Sequence, residues 1–203
     1  GWFALTDVHH ALDRHAGAVI FGGPMSANDP DDFVRREIDW IEIPLRENRP
    51  FLGICLGAQM LSKQLGGEVG PHPLGKVEIG YYPLSAVNGG CSFAPLPAHV
   101  YQWHREGLTL PRNAVCQARS EEFDNQAFRY GQAAFGIQFH PEVTRAMMHR
   151  WVVKAAHRLV LPGALPADEH LAMHLMYDRP VAEWLLSFLS GWLRAGQVAE
   201  AAE

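Results

Sequence analysis

Pro50-Phe51-Leu52-Gly53-Ile54-Cys55-Leu56-Gly57-Ala58-Gln59 is the stretch whose reading decides how this chain folds. Pro50 to Ile54 is a short apolar run of the kind buried on both faces of a parallel sheet. It leads without a linker into Leu56 to Leu65, which reads as a helix stopped by Gly66-Gly67. Between strand and helix stands G-x-C-x-G. A strand-to-helix turn this tight leaves no room for bulk beside its apex, and a glycine on each side meets that need. Cys55 is thereby lifted off the end of the sheet at a helix N-terminus, where partial positive charge and unpaired N–H groups favour the thiolate. A buried structural cysteine in a glycine-rich turn gives the same local pattern, so the pentapeptide alone leaves both readings open.

Upstream, Ala18 to Phe21 is a second short apolar strand, ended by Gly22-Gly23-Pro24, a loop whose backbone can come close to a ligand. A backbone N–H from that loop, together with the N–H of Leu56, would form an oxyanion hole. Asp29 is placed to cap the next helix, with Pro30 in its first turn and Phe33, Val34, Ile38, Ile41 and Leu45 on its apolar face. Thr6 to His15 also reads as helix. Downstream, strand signals lie at Lys76 to Leu84, Ala98 to Trp103, Ala114 to Ala118, Gln126 to Tyr130 and Ala133 to Phe139. Helix returns from Thr144 to about Val160, then a loop with Pro162, Gly163 and Pro166. A last helix spans Arg179 to Leu193, striped by Val181, Trp184, Leu185, Phe188, Leu189 and Trp192. The small polar tail from Ala195 to Glu203 is expected to fray. Buried strands alternating with helices imply an α/β fold, a parallel sheet covered on both faces, and 203 residues read as a single domain.

Gly136-Ile137-Gln138-Phe139-His140-Pro141-Glu142 carries the second chemical signal. His140 ends an apolar strand, and Pro141 stops the ladder. His140 and Glu142 are two apart, so in extended chain they point the same way. A carboxylate beside an imidazole fixes its tautomer and supports its charged form, which is what a cysteine nucleophile asks of its base. Taken singly, a His near a Glu is usually a surface pair. Together, the three signals place nucleophile, base, orienter and oxyanion donors at the carboxyl ends of strands in one sheet, where such folds bind ligands.

Composition excludes several classes. Apolar residues make up 48% and charged residues 19%, as in an ordinary globular protein. A net charge of -5 with no Lys/Arg-rich run argues against a nucleic-acid surface. No apolar run approaches the ~20 residues of a membrane span. The three cysteines, Cys55, Cys91 and Cys116, form neither a disulfide framework nor a zinc pattern, which points to a reducing, cytoplasmic setting. Cys91 and Cys116 read as plain thiols. Of the eleven histidines, His170 and His174 have the spacing of metal ligands, without an acidic residue in the matching place, and His9, His10 and His15 read as solvent-facing. No metal and no cofactor is expected.

Gly-Gly-Pro at 22–24, Gly-Ile-Cys-Leu-Gly-Ala-Gln at 53–59 and Gln-Phe-His-Pro-Glu at 138–142, in this order, resemble the class I glutamine amidotransferase domain, in particular its stand-alone, GMP-synthase-like subgroup. Lys76 to Tyr81, Trp103-His104 and Asn125 to Gly131 support the match, which runs from about Val19 to Val143. The resemblance implies an open, mostly parallel sheet with helices on both faces. It implies Cys55 as nucleophile, His140 as general base and acid, and Glu142 as orienting carboxylate. Gly23 and Leu56 would supply the oxyanion N–H groups, and Gly22, Gln59 and His104 would contact the substrate, glutamine. The amide is then cleaved through a glutamyl thioester, and ammonia passes to a synthetase or other acceptor-enzyme subunit. The chain starts at Gly1, and the family's first strand, normally ahead of the Gly-Gly-Pro strand, looks missing. The segment from Trp151 to Leu193 has no counterpart with an assignable role. Two other readings share these residues: a γ-glutamyl amine or peptide hydrolase with the same triad, and a silent binding or regulatory module of the same fold.

Overall fold

A computed structural model describes residues 15–87 and 94–200, with the side chains of 196–200 excepted. The helix expected at Thr6 to His15, apart from His15 itself, and the Cys91 thiol lie outside the described residues. Strands β1 (Ala18–Ile20), β2 (Phe51–Ile54) and β10 (Ala134–Ile137) are joined in one six-stranded sheet with β9 (Ala127–Tyr130), β8 (Ala114–Arg119) and β5 (Ser85–Ala86), in the order β1-β2-β10-β9-β8-β5. Pairing is parallel from β1 through β2 to β10 and antiparallel from there outward, so the sheet is mixed, not mostly parallel, among the described residues. The reason is local: the turn at Gly131 (φ 58°) joins β9 to β10 directly, and a connection that short permits only an antiparallel neighbour.

Both faces are covered. Along β2, Phe51 packs with Val34, Leu56 and Leu61 on the side of α1 (Asp32–Trp40) and α3 (Leu56–Gln64). Leu52 and Ile54 pack with Phe135, Ile137, Trp184, Phe188 and Trp192 on the other, under α5 (Ala167–Glu200). That division follows the alternation of side chains along a strand. Trp192 also anchors the far end of α5, its indole N–H donating to Ala133 O at 2.8 Å. Two further antiparallel pairs stand apart from the main sheet: β3 (Val69–Pro71) with β7 (Glu106–Leu108), and β4 (Glu78–Pro83) with β6 (His99–His104).

Several helix limits differ from the sequence reading. Asp31, not Asp29, precedes α1, because the Asp29 carboxylate instead accepts from the Ser26 N–H at 2.9 Å and closes a turn. The helix expected through Leu45 breaks at Ile41 and restarts as α2 (Glu42–Arg46). The restart puts Pro44 in a first turn, where its missing N–H is not needed. Helix α4 (Arg145–Lys154) is capped by Thr144, whose hydroxyl accepts from Met147 N–H. It ends at Lys154 rather than near Val160, and a 3-10 turn follows at Ala156–Arg158. Helix α5 begins at Ala167, a full three turns before the expected Arg179, and passes through Pro180. Buried contacts on both sides of the proline, from His170 and His174 before it and Val181 and Trp184 after it, hold the helix together across the lost hydrogen bond. The backbone stays helical to Glu200, where fraying was expected from Ala195.

Candidate active site

Three parallel strands end together. Registers Ile20↔Gly53 and Ile137↔Ile54 align the carboxyl ends of β1, β2 and β10, so the residues that follow them, Gly22-Gly23, Cys55 and His140, meet at one edge. Cys55 is held at φ 51°, a conformation that a non-glycine residue rarely takes, between strand and helix. Its N–H donates to Ile137 O at 2.8 Å, and its carbonyl accepts the first helical bond, from Gln59 N–H at 3.0 Å. The flanking glycines are required by contact. A Cβ on Gly53 would stand 2.4 Å from Gly57 O, and one on Gly57 would stand 2.1 Å from Ile20 O. Leu56 is the first residue of α3, and a helix leaves the N–H of that position without an intrahelical acceptor.

His140 is fixed at both ends of its residue. Its backbone N–H donates to Tyr101 O at 2.8 Å, and its Nδ1–H donates to Glu142 Oε1 at 2.7 Å. The other ring nitrogen, Nε2, is left to hydrogen-bond with Cys55. Burial works against the imidazolium, but the charge of Cys55, the bond to it, and the bond to and charge of Glu142 overcome that cost and raise the pKa to about 10. Gly22 is wedged against this pair: a Cβ there would lie 2.7 Å from the His140 ring and 3.4 Å from Cys55 Cβ. Gly23 faces Leu56 in the same way, at 3.1 Å.

Two cavities meet at Cys55. A wide one of about 350 Å³ is lined by His140, Trp103, Trp151, Lys154 and Arg158 as well as Gly22 and Gly23. A narrow one of about 30 Å³ is lined by Gly23, Leu56, Gln59, His104, Arg105 and Arg158. Gln59 and His104 therefore both reach the site, yet much of their bonding capacity is taken. The Gln59 amide donates to Glu106 O at 3.0 Å and toward Gln138 Oε1 at 3.3 Å. His104 Nδ1–H donates to Glu106 O at 3.1 Å, and its Nε2 is 3.1 Å from Glu78 Oε2. Glu78 in turn accepts from Gln126 Nε2 at 2.6 Å, and Gln126 Oε1 accepts from Gln102 at 2.7 Å. This buried polar cluster ties β4, β6 and the residue before β9 to the elbow helix. Glu78 and Gln126 lie in stretches that support the family resemblance without implying a role for either, and Arg105, Trp151, Lys154 and Arg158 carry no sequence signal.

His170 and His174 are spent on scaffold bonds, to Tyr101 OH and Tyr81 OH, each at 3.0 Å. Among the described residues no three His, Cys, Asp or Glu side chains are grouped to hold a metal. Cys116 lies on β8 with its thiol near Ala118 O and Asp124 O.

Residues 4–156 match the family Glutamine amidotransferase class-I. The chain belongs to that family. Among curated members, it is 34% identical over 174 residues to the GMP synthase [glutamine-hydrolyzing] of Aeropyrum pernix, covering 81% of this chain and 33% of that enzyme. It is 30% identical over 145 residues to gamma-glutamyl peptidase 5 of Arabidopsis thaliana, covering 68% and 57%. The chain thus spans a third of the first relative and somewhat over half of the second. Among solved structures, the glutamine amidotransferase of Methylobacillus flagellatus superposes with a TM-score of 0.81 at 26% identity, covering 89% of this chain and 76% of that one. The α/β fold of the amidotransferase family is therefore this chain's fold. No helix among the described residues is long and apolar enough to cross a membrane.

Proposed function

We propose that this amidotransferase-family protein hydrolyses the side-chain amide of glutamine through Cys55, His140 and Glu142. The observation that carries the reading is the hydrogen-bonded line from Cys55 through the His140 ring to Glu142, with Cys55 at the apex of a strained turn. The Cys55 thiolate attacks the amide carbon, and the N–H groups of Gly23 and Leu56 receive the oxyanion. The C–N bond breaks as His140 gives its proton to the departing ammonia. Water, deprotonated by His140, then attacks the glutamyl thioester, and glutamate leaves with the thiolate restored. Gly22, Gln59 and His104 shape the glutamyl side of the site. Residues 1–203 act as one domain in the reducing cytoplasm, and ammonia goes to an acceptor enzyme or synthetase subunit. Similarity to a glutamine-hydrolysing synthase, of which this chain matches a third, supports that last step.

A second reading, hydrolysis of γ-glutamyl peptides or amines by the same residues, draws on the similarity to gamma-glutamyl peptidase 5 and on the wide cavity beside His140, where a leaving group departs. Ammonia release from glutamine, with and without Cys55→Ser, tests the main reading. The expected loss in the variant is at least about 10³-fold. Turnover of substituted γ-glutamyl amides but not of glutamine favours the second reading, and equal turnover by both proteins sinks both.

A further inference from the structure

Cations crowd the mouth of this site without ion-pair partners among the described residues. Arg158, on the 3-10 turn after α4, lines both cavities at Cys55; Arg105 lines the narrow one and Lys154 the wide one. No carboxylate lies within 4 Å of any of the three among the described residues, although Glu106 also lines the narrow cavity. Partial burial and, next, the neighbouring Arg105 charge both press against the charge on Arg158. On a chain of net charge -5, like charges set together beside a nucleophile call for an anion. The planar guanidinium fork suits a carboxylate, and Trp103 and Trp151 line the wide cavity beside it.

We propose that Arg158, with Arg105 and Lys154, binds a carboxylate of the substrate, so that the site selects γ-glutamyl amides by negative charge as well as by their amide. This rests on the amide-hydrolase reading above. Arg158 lies just past residues 4–156, so the cation shared by both cavities comes from outside the segment that matches the family, while Arg105 and Lys154 lie within it. The carboxylate belongs either to the α-carbon of the glutamyl group or to the leaving group, and three substrates separate these sources. Glutamine carries only the first, γ-glutamylglycine carries both, and glutaminamide carries neither.

Steady-state kinetics of the wild type, Arg158→Ala and Arg158→Lys on these three compounds test the proposal. Arg158→Ala is expected to lower kcat/KM for glutamine about 10- to 100-fold, mostly through KM, with partial rescue by Arg158→Lys and little change for glutaminamide. A loss on γ-glutamylglycine alone keeps the clamp and moves the carboxylate to the leaving group. An equal loss on all three compounds, or no loss on any, overturns it. Cys55→Ser keeps the two failures apart. Activity abolished by that change but indifferent to Arg158→Ala removes only the clamp, whereas activity that survives it, or a wild type that turns over none of the three, removes the amide-hydrolase reading itself.

Discussion

His140 and His170 both set their rings against the Tyr101–Trp103–Trp151 cluster, His140 edge-on to Trp151 at 5.0 Å, His170 edge-on to Tyr101 at 5.6 Å and Trp103 at 5.9 Å. Both are buried, and burial discourages the charge on each. At His140 the anionic Cys55 and Glu142 reverse that and hold the proton on. At His170 the Leu165 carbonyl and the nearby Glu169 compensate only in part, so its pKa stays below 6.5. Its Nε2–H donates to Leu165 O, which leaves Nδ1 to accept from Tyr101 OH. One aromatic cluster thus serves a charged histidine on the side of the reaction and a neutral one on the side of α5. The difference comes from which anions each ring faces, not from how deeply it is buried.

The largest expected effect breaks the charged side. Glu142→Gln removes the negative charge and leaves an amide that need not hold the tautomer, and kcat is expected to fall about 10²- to 10⁴-fold, with native far-UV circular dichroism retained. Stability against pH sharpens the contrast next. A raised folded pKa makes the His140 contribution complete below 6.5 and lost as pH climbs through about 10. A lowered one makes the His170 contribution present above 6.5 and lost as pH falls below it. Denaturant unfolding across pH should therefore show a shallower alkaline decline in Cys55→Ser and a shallower acid decline in His170→Gln. Exchanged slopes would mean the two roles are misassigned. The smallest effect lies on the scaffold side: Tyr81→Phe removes the hydroxyl bonded to His174 and should cost about 1 kcal/mol in urea unfolding while kcat stays within about twofold.

The elbow was readable from sequence because everything that defines it is local: an apolar strand, two glycines and a helix within fifteen residues. Its contacts then explain the glycines, since Gly53 and Gly57 each face backbone oxygen closer than a side chain tolerates. His140 and Glu142 were readable for the same reason, being two residues apart at a strand end. The cluster around Glu78 and Gln126 was not, because its partners come from β4, β6 and the loop before β9, and His174 meets Tyr81 across 93 residues. Nor was Arg158, which reaches the site only because α4 stops at Lys154 and the chain turns. The early start of α5 was hidden by Pro180, which reads as a helix boundary until the buried residues on both sides of it are known.

The parallel alignment of β1, β2 and β10 has a consequence for assembly. Gly22, Cys55 and His140 arrive on separate strands, and a slip of one residue in any of them would carry its group about 3.3 Å along the strand and turn it to the opposite face. A compact chain with native helices but a shifted pairing would therefore hold all three residues and have no working site. If the proposed amide hydrolysis holds, turnover reports strand register as well as the presence of the three residues.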